Sequence, residues 1–186
     1  MTTRQTPLDA PAAITLRRYE PADAAAVLAH VLAIQQQEFG LPIAAADQPD
    51  LLDVPAFYQR GAGGFWVARA GDRVVGTVGL LDIGGGHGVL RKMFVAAEAR
   101  GRATGVAAAL LGAVQQRCRE AGLHTLWLGT TEAFGAAHRF YEKQGFERIV
   151  PAALPAAFPR MAVDTRFYRQ AVLAGVAGVA AAGAAC

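Results

Sequence analysis

Eight consecutive residues, Arg100, Gly101, Arg102, Ala103, Thr104, Gly105, Val106 and Ala107, set positive charge and small side chains at the head of an apolar-periodic stretch. If that stretch is a helix, its first amides lack intrahelical acceptors and its dipole favours an anion. Ala103, Gly105 and Ala107 let a ligand approach the backbone, while Arg100 and Arg102 add charge beside it. This is a physical recipe for holding a pyrophosphate. Small residues at a helix start also serve close packing, and these residues alone favour neither reading.

A second group lies at 131–144, where Phe134, Ala137 and Tyr141 share one helical face. A tyrosine so placed is either a core aromatic with its hydroxyl at the surface or a proton donor. Glu38, at the end of the first helical stretch, is either solvated or a base able to deprotonate an amine. His87, in a glycine-rich turn, has an intrinsic pKa suited to proton transfer but is expected in solvent. His138 falls on a different face from Tyr141, and Asp164, Arg166 and Tyr168 lie on an expected last strand within reach of an acceptor. Cys118 sits mid-helix with no paired base, so a covalent acyl-enzyme is not expected.

The elements that must position these residues follow from periodicity. Strands are expected at 14–19, 65–70, 73–82, 89–95, 124–129, 146–150 and 161–168. A first helix opens near Pro21, carries Val27, Val31 and Ile34 on one face and stops at Gly40; a second covers 51–60. Residues 98–107 lead into a helix reaching 119, and Thr130 or Thr131 caps a last one that runs through Gln144 and ends at Gly145. The Gly-dense IGGGHG at 83–88 enters a strand rather than a helix, so it reads as a hairpin turn and not a phosphate loop. The order implies a mixed α/β chain with an antiparallel meander in its first half.

Composition narrows the classes. A chain of 186 residues, 53% hydrophobic and 18% charged, makes one soluble domain, expected over 14–170. Its 18 basic and 15 acidic residues leave a net charge of +3 with no concentrated basic stripe, so no nucleic-acid partner is expected. Cys118 and Cys186 fit neither a disulfide framework nor a metal site, and no metal is expected; a reducing, cytoplasmic compartment is. Residues 1–13 lack a secretory signal and read as a flexible end. The uncharged tail at 171–186 falls short of the roughly 20 apolar residues a bilayer span requires, so no membrane partner is expected. That tail and the crossing at Pro151, Pro155 and Pro159 offer surfaces for a homodimer.

LRKMFV at 90–95, RG-x-x-x-GVA-x-x-LL at 100–111, LGTT at 128–131 and AAHRFYEKQGF at 136–146 together resemble the GNAT superfamily of acetyl-CoA-dependent N-acetyltransferases. The resemblance implies a twisted, mostly antiparallel sheet of about seven strands flanked by about four helices. It implies acetyl-CoA as acetyl donor and direct transfer to a primary amine of a small molecule or peptide. Met93, Phe94 and Val95 would pair with the pantetheine arm, and the amides from Arg102 to Ala107 would cradle the pyrophosphate. Tyr141 would act as general acid to the departing thiolate, with Glu38 as a candidate to deprotonate the amine. Two departures stand out: Ala103 replaces the more usual glycine, and Phe134 replaces an asparagine often found seven residues before the tyrosine. The alternative is a non-catalytic acetyl-CoA-binding module, against which the retained Tyr141 argues.

Overall fold

The computed structural model describes residues 13–172. Among them, seven strands form one sheet: β1 (Ile14–Arg18), β2 (Gly64–Ala70), β3 (Arg73–Asp82), β4 (His87–Val95), β5 (Thr125–Thr130), β6 (Glu147–Ile149) and β7 (Arg166–Ala171). Their order is β1-β2-β3-β4-β5-β7-β6, antiparallel except between β4 and β5. Five α-helices accompany them: α1 (Ala24–Ala33), α2 (Pro49–Leu52), α3 (Val54–Tyr58), α4 (Val106–Glu120) and α5 (Gly135–Lys143). None is long and apolar enough to cross a membrane. Gly84, Gly85 and Gly86 all hold positive φ in the β3–β4 connection, the conformation glycine adopts without penalty, so the glycine run is a hairpin turn.

The two-residue period of the strands divides the core between two faces. On one, Leu90 and Leu128 meet Leu110, Leu111 and Val114 of α4 and Tyr141 of α5. On the other, Val67 and Phe65 meet Val27 and Val31 of α1 and Val54 and Tyr58 of α2–α3's end of the molecule. Farther along that second face, Val89, Trp127 and Phe167 are covered by Phe158 from the chain between β6 and β7. Each fully buried aliphatic or aromatic side chain contributes about 1.5–3 kcal/mol.

Four boundaries differ from the sequence expectation, each for a local reason. The expected second helix is two, because Asp53 leaves the helical region, with φ −141° and ψ 70°, and its side chain accepts from Ala56 N–H, capping α3 afresh. The helix after β4 begins only at Val106, following a 3-10 turn at Ala97–Ala99 and a loop in which Gly101 and Gly105 hold φ of 95° and 65°. Phe134 rather than a threonine stands at the N-cap of α5. The last strand runs Arg166–Ala171, because Met161 and Asp164 close a turn: Asp164 N–H donates to the Met161 carbonyl and Met161 N–H to Asp164 Oδ2, both at 3.0 Å. Of the expected flexible end at 1–13 and the uncharged tail at 171–186, residues 1–12 and 173–186 lie outside the described residues.

Candidate active site

β4 and β5 pair at His87↔Thr125, Gly88↔Leu126 and Val89↔Trp127, and then part. A bulge accompanies the parting. Thr77 faces Phe94 and Gly79 faces Arg91, so Lys92 and Met93 together oppose Val78, and Lys92 takes a φ of 50°. Such a bulge bends the strand that carries it. The result is a V-shaped opening lined by two strand edges that no longer bond each other.

The 100–107 segment sits at the head of α4. Gly105 is its left-handed N-cap, and a Cβ built there would meet nothing within 4 Å. The amides of Arg102, Ala103, Thr104, Val106 and Ala107 donate to no group among the described residues. Arg102 is exposed and joins no ion pair there. Free amides, positive charge and an open approach at the start of a 15-residue helix fit a pyrophosphate. Arg100 is committed elsewhere: Nε donates to the Val95 carbonyl at 2.8 Å, and its two terminal nitrogens hold Glu38 at 2.5 and 2.6 Å.

Tyr141 is 6% exposed and packs against Phe146 and Tyr168. Burial raises its pKa well above the ordinary phenol value. Its hydroxyl bonds nothing among the described residues, yet no sealed side-chain oxygen there lacks a partner, so the hydroxyl opens onto accessible space. Ala137, one turn earlier, packs into the same layer. Phe134 turns away: its ring packs edge-on against Phe39 at 4.5 Å and Phe94 at 6.2 Å. Met93 faces α4 and Phe94 the opposite side. The carbonyls of Phe94 and Val95 already accept from His30 Nε2 (3.3 Å) and Arg100 Nε, so a ligand strand would find fewer open acceptors than the resemblance implies.

The hydrogen bonds and charge of Arg100 hold the Glu38 carboxyl below its usual range, which weakens it as a base. His87 is not in solvent; it is half-buried, and its Nδ1 accepts from Trp127 Nε1 at 3.2 Å. His138 is buried, donating from Nε2 to the Thr131 carbonyl and accepting from Arg166 at Nδ1, which assigns it a positioning part. Burial pushes the Cys118 thiol up to about 11, so it is inert as a nucleophile. No group of three or more His, Cys, Asp or Glu among the described residues is arranged to hold a metal.

One cluster escaped the sequence reading. Beneath the bulge, Lys92 Nζ lies 3.2 Å from Asp50 Oδ1 and also bonds Gln48, which donates to Gln35 at 3.0 Å; the Tyr58 hydroxyl bonds the other Asp50 oxygen. Burial holds Lys92 below its usual pKa, against the pull of Asp50. The one sequence signal was a charged pair, Arg91 and Lys92, inside an otherwise apolar strand.

A parallel pair that parts beside an anion-accepting helix start defines the class as a GNAT-type fold. The chain matches the model of the Acetyltransferase (GNAT) family over residues 28–146 and belongs to that family. It superimposes on a crystal structure of a GNAT-family acetyltransferase from Staphylococcus aureus Mu50 with TM-score 0.82 and 33% identity, covering 87% of this chain and 100% of that one. An acetyltransferase from Streptococcus agalactiae 2603 gives TM-score 0.80 at 29% identity, covering 85% and 98%. A probable N-acetyltransferase family 8 member 5 of Mus musculus is 33% identical over 115 residues, 60% of this chain and 51% of that protein. The chain thus spans about half the length of that curated relative.

Proposed function

We propose that this chain is an acetyl-CoA-dependent N-acetyltransferase that passes the acetyl group directly to a primary amine of a small molecule or peptide. The observation that carries this reading is the Tyr141 hydroxyl, without a partner among the described residues on the α4–α5 side of the sheet, together with the 102–107 amides that are free among them. The donor supplies an acetyl group already activated as a thioester. The amides of Arg102, Ala103, Thr104, Val106 and Ala107 receive its pyrophosphate, with Gly101 and Gly105 giving the loop its shape. The β4 edge at Met93, Phe94 and Val95 flanks the pantetheine arm, and Ala137 and Phe134 stand on the α5 side.

The neutral amine attacks the thioester carbonyl, and the C–N bond forms as the C–S bond breaks. The nitrogen loses its surplus proton to solvent, and Tyr141 gives its own proton to the departing sulfur. A pKa raised by burial keeps the phenol protonated at neutral pH, as a proton donor requires. Glu38 serves this site by orienting Arg100 beside the loop. Family membership and the N-acetyltransferase name of the mouse relative support the chemistry, and an inert Cys118 supports direct transfer. The cysteine pattern supports a reducing, cytoplasmic setting.

The test is free-thiol release from acetyl-CoA across an amine panel, with thermal shift as a binding measure. CoA should raise Tm in proportion to occupancy and ATP should do much less. Equal stabilisation by ATP and CoA, or no thiol release with any amine, defeats the reading.

A further inference from the structure

Beyond Val89↔Trp127, the last β4–β5 pair, the next residues on the same face are Arg91 and Gly129. Arg91 also stands opposite Gly79, whose bare side meets the Tyr58 ring, which places Arg91 on the α1–α3 face, away from α4. Gly129 has no side chain, and Asp164 covers it: a Cβ built there would lie 2.5 Å from Asp164 Oδ2. Arg91 and Asp164 therefore flank the apex of the opening on the face opposite Tyr141. Met161 touches both, donating N–H to Asp164 Oδ2 at 3.0 Å and meeting the Arg91 guanidinium with its thioether.

Neither charge meets an opposite charge at ion-pair distance among the described residues. Arg91 pairs with no carboxylate among the described residues, and a thioether is a weak acceptor. Its neighbour Lys92 is the contrast, buried and paired with Asp50. Asp164 is 8% exposed; Oδ1 bonds nothing among the described residues, yet it is not sealed and keeps some accessible surface. The other cation acting on Asp164 is Arg160, exposed and stacked on Phe167. A guanidinium and a nearly buried carboxylate that do not pair with each other match a ligand carrying both charges in complementary order.

We propose that Arg91 and Asp164 form the acceptor subsite, and that the acceptor is a free α-amino acid with its carboxylate on Arg91 and its ammonium on Asp164. The ammonium gives up one proton to solvent before the neutral nitrogen attacks the thioester carbonyl. The proposal rests on the N-acetyltransferase reading and narrows it. A simple alkylamine leaves Arg91 unmatched, and so does an amino-acid carboxamide.

The test uses the full chain, acetyl-CoA, the twenty common L-amino acids and their carboxamides, with thiol release as readout. At least one amino acid should surpass its carboxamide in kcat/KM by about tenfold or more. Arg91→Met should raise KM for that amino acid by about 10–100-fold, leave KM for the carboxamide unchanged, and keep the wild-type thermal shift with CoA. Asp164→Asn should raise KM for both acceptors. Carboxamides used as well as amino acids, or an Arg91→Met change equal for the two, overturns the subsite and leaves the acetyltransferase reading standing. No thiol release with any amine, despite CoA binding, overturns both.

Discussion

Glu38 and Arg100, 62 positions apart in sequence, meet in a two-pronged ion pair at 2.5 and 2.6 Å. Through Arg100 Nε on the Val95 carbonyl, one guanidinium ties the end of the first helical run to the end of β4 and the loop before α4.

Because that pair weakens Glu38 as a base, Glu38→Gln should act on the cofactor loop rather than on chemistry. Both side chains are partly exposed, so stability should change by less than about 1 kcal/mol. Steady-state kinetics should show KM for acetyl-CoA raised severalfold with kcat nearly unchanged. A kcat fallen about 100-fold at constant KM would restore Glu38 as the base.

Tyr141→Phe should lower kcat by about 10²–10⁴-fold while CoA affinity shifts little, the mark of an interaction made mainly in the transition state. The hydroxyl bonds nothing in the described protein, so denaturant unfolding should find nearly wild-type stability. Wild-type turnover, with chemistry rate-limiting, would reduce Tyr141 to a core aromatic.

Gly105 separates backbone strain from ligand exclusion. Its φ of 65° costs any other L-residue about 1–2 kcal/mol, but the open space around it lets a side chain in without collision. Gly105→Ala should therefore fold with that loss and still bind CoA. Gly105→Glu should fold comparably and lose CoA binding by calorimetry, because a bulky anion then occupies the approach to the free amides. Unchanged CoA affinity in a folded Glu variant would refute the loop assignment.

Asp23 should govern part of the acid sensitivity. It is 1% exposed and accepts from Arg17, Arg69 and Glu20 N–H. Burial pushes its pKa up, but these donors outweigh burial and hold it below the ordinary carboxylate value. A folded pKa below the unfolded one means stabilisation that is complete above about pH 4 and lost as pH falls through the folded value. Asp23→Asn should cost about 2–3 kcal/mol at pH 7, and the gap from wild type should shrink at pH 3. Urea unfolding at the two pH values checks this; a gap independent of pH would show that the charge contributes nothing.

Local chemistry alone determined much of this protein. Glycines at 84–86 demand a turn wherever the chain goes, alternation marks strands, and a 3.6-residue period sets Leu110, Val114 and Tyr141 inward. Those preferences act between near neighbours, so the seven strands and the helix opening at the 100–107 loop were legible from residues a few positions apart. The partners of Glu38, Lys92 and Asp164 were not. Asp164 lies in a turn over Gly129 rather than on a strand, Lys92 finds Asp50 beneath a bulge, and β4 leaves β5 after three pairs. Each of these depends on which distant segments pack together, and a charged side chain's pairing is settled by whichever opposite charge the folded sheet and its covering loops bring within reach. Only the tertiary structure decided that Lys92 meets a carboxylate while Arg91, beside it, meets none among the described residues.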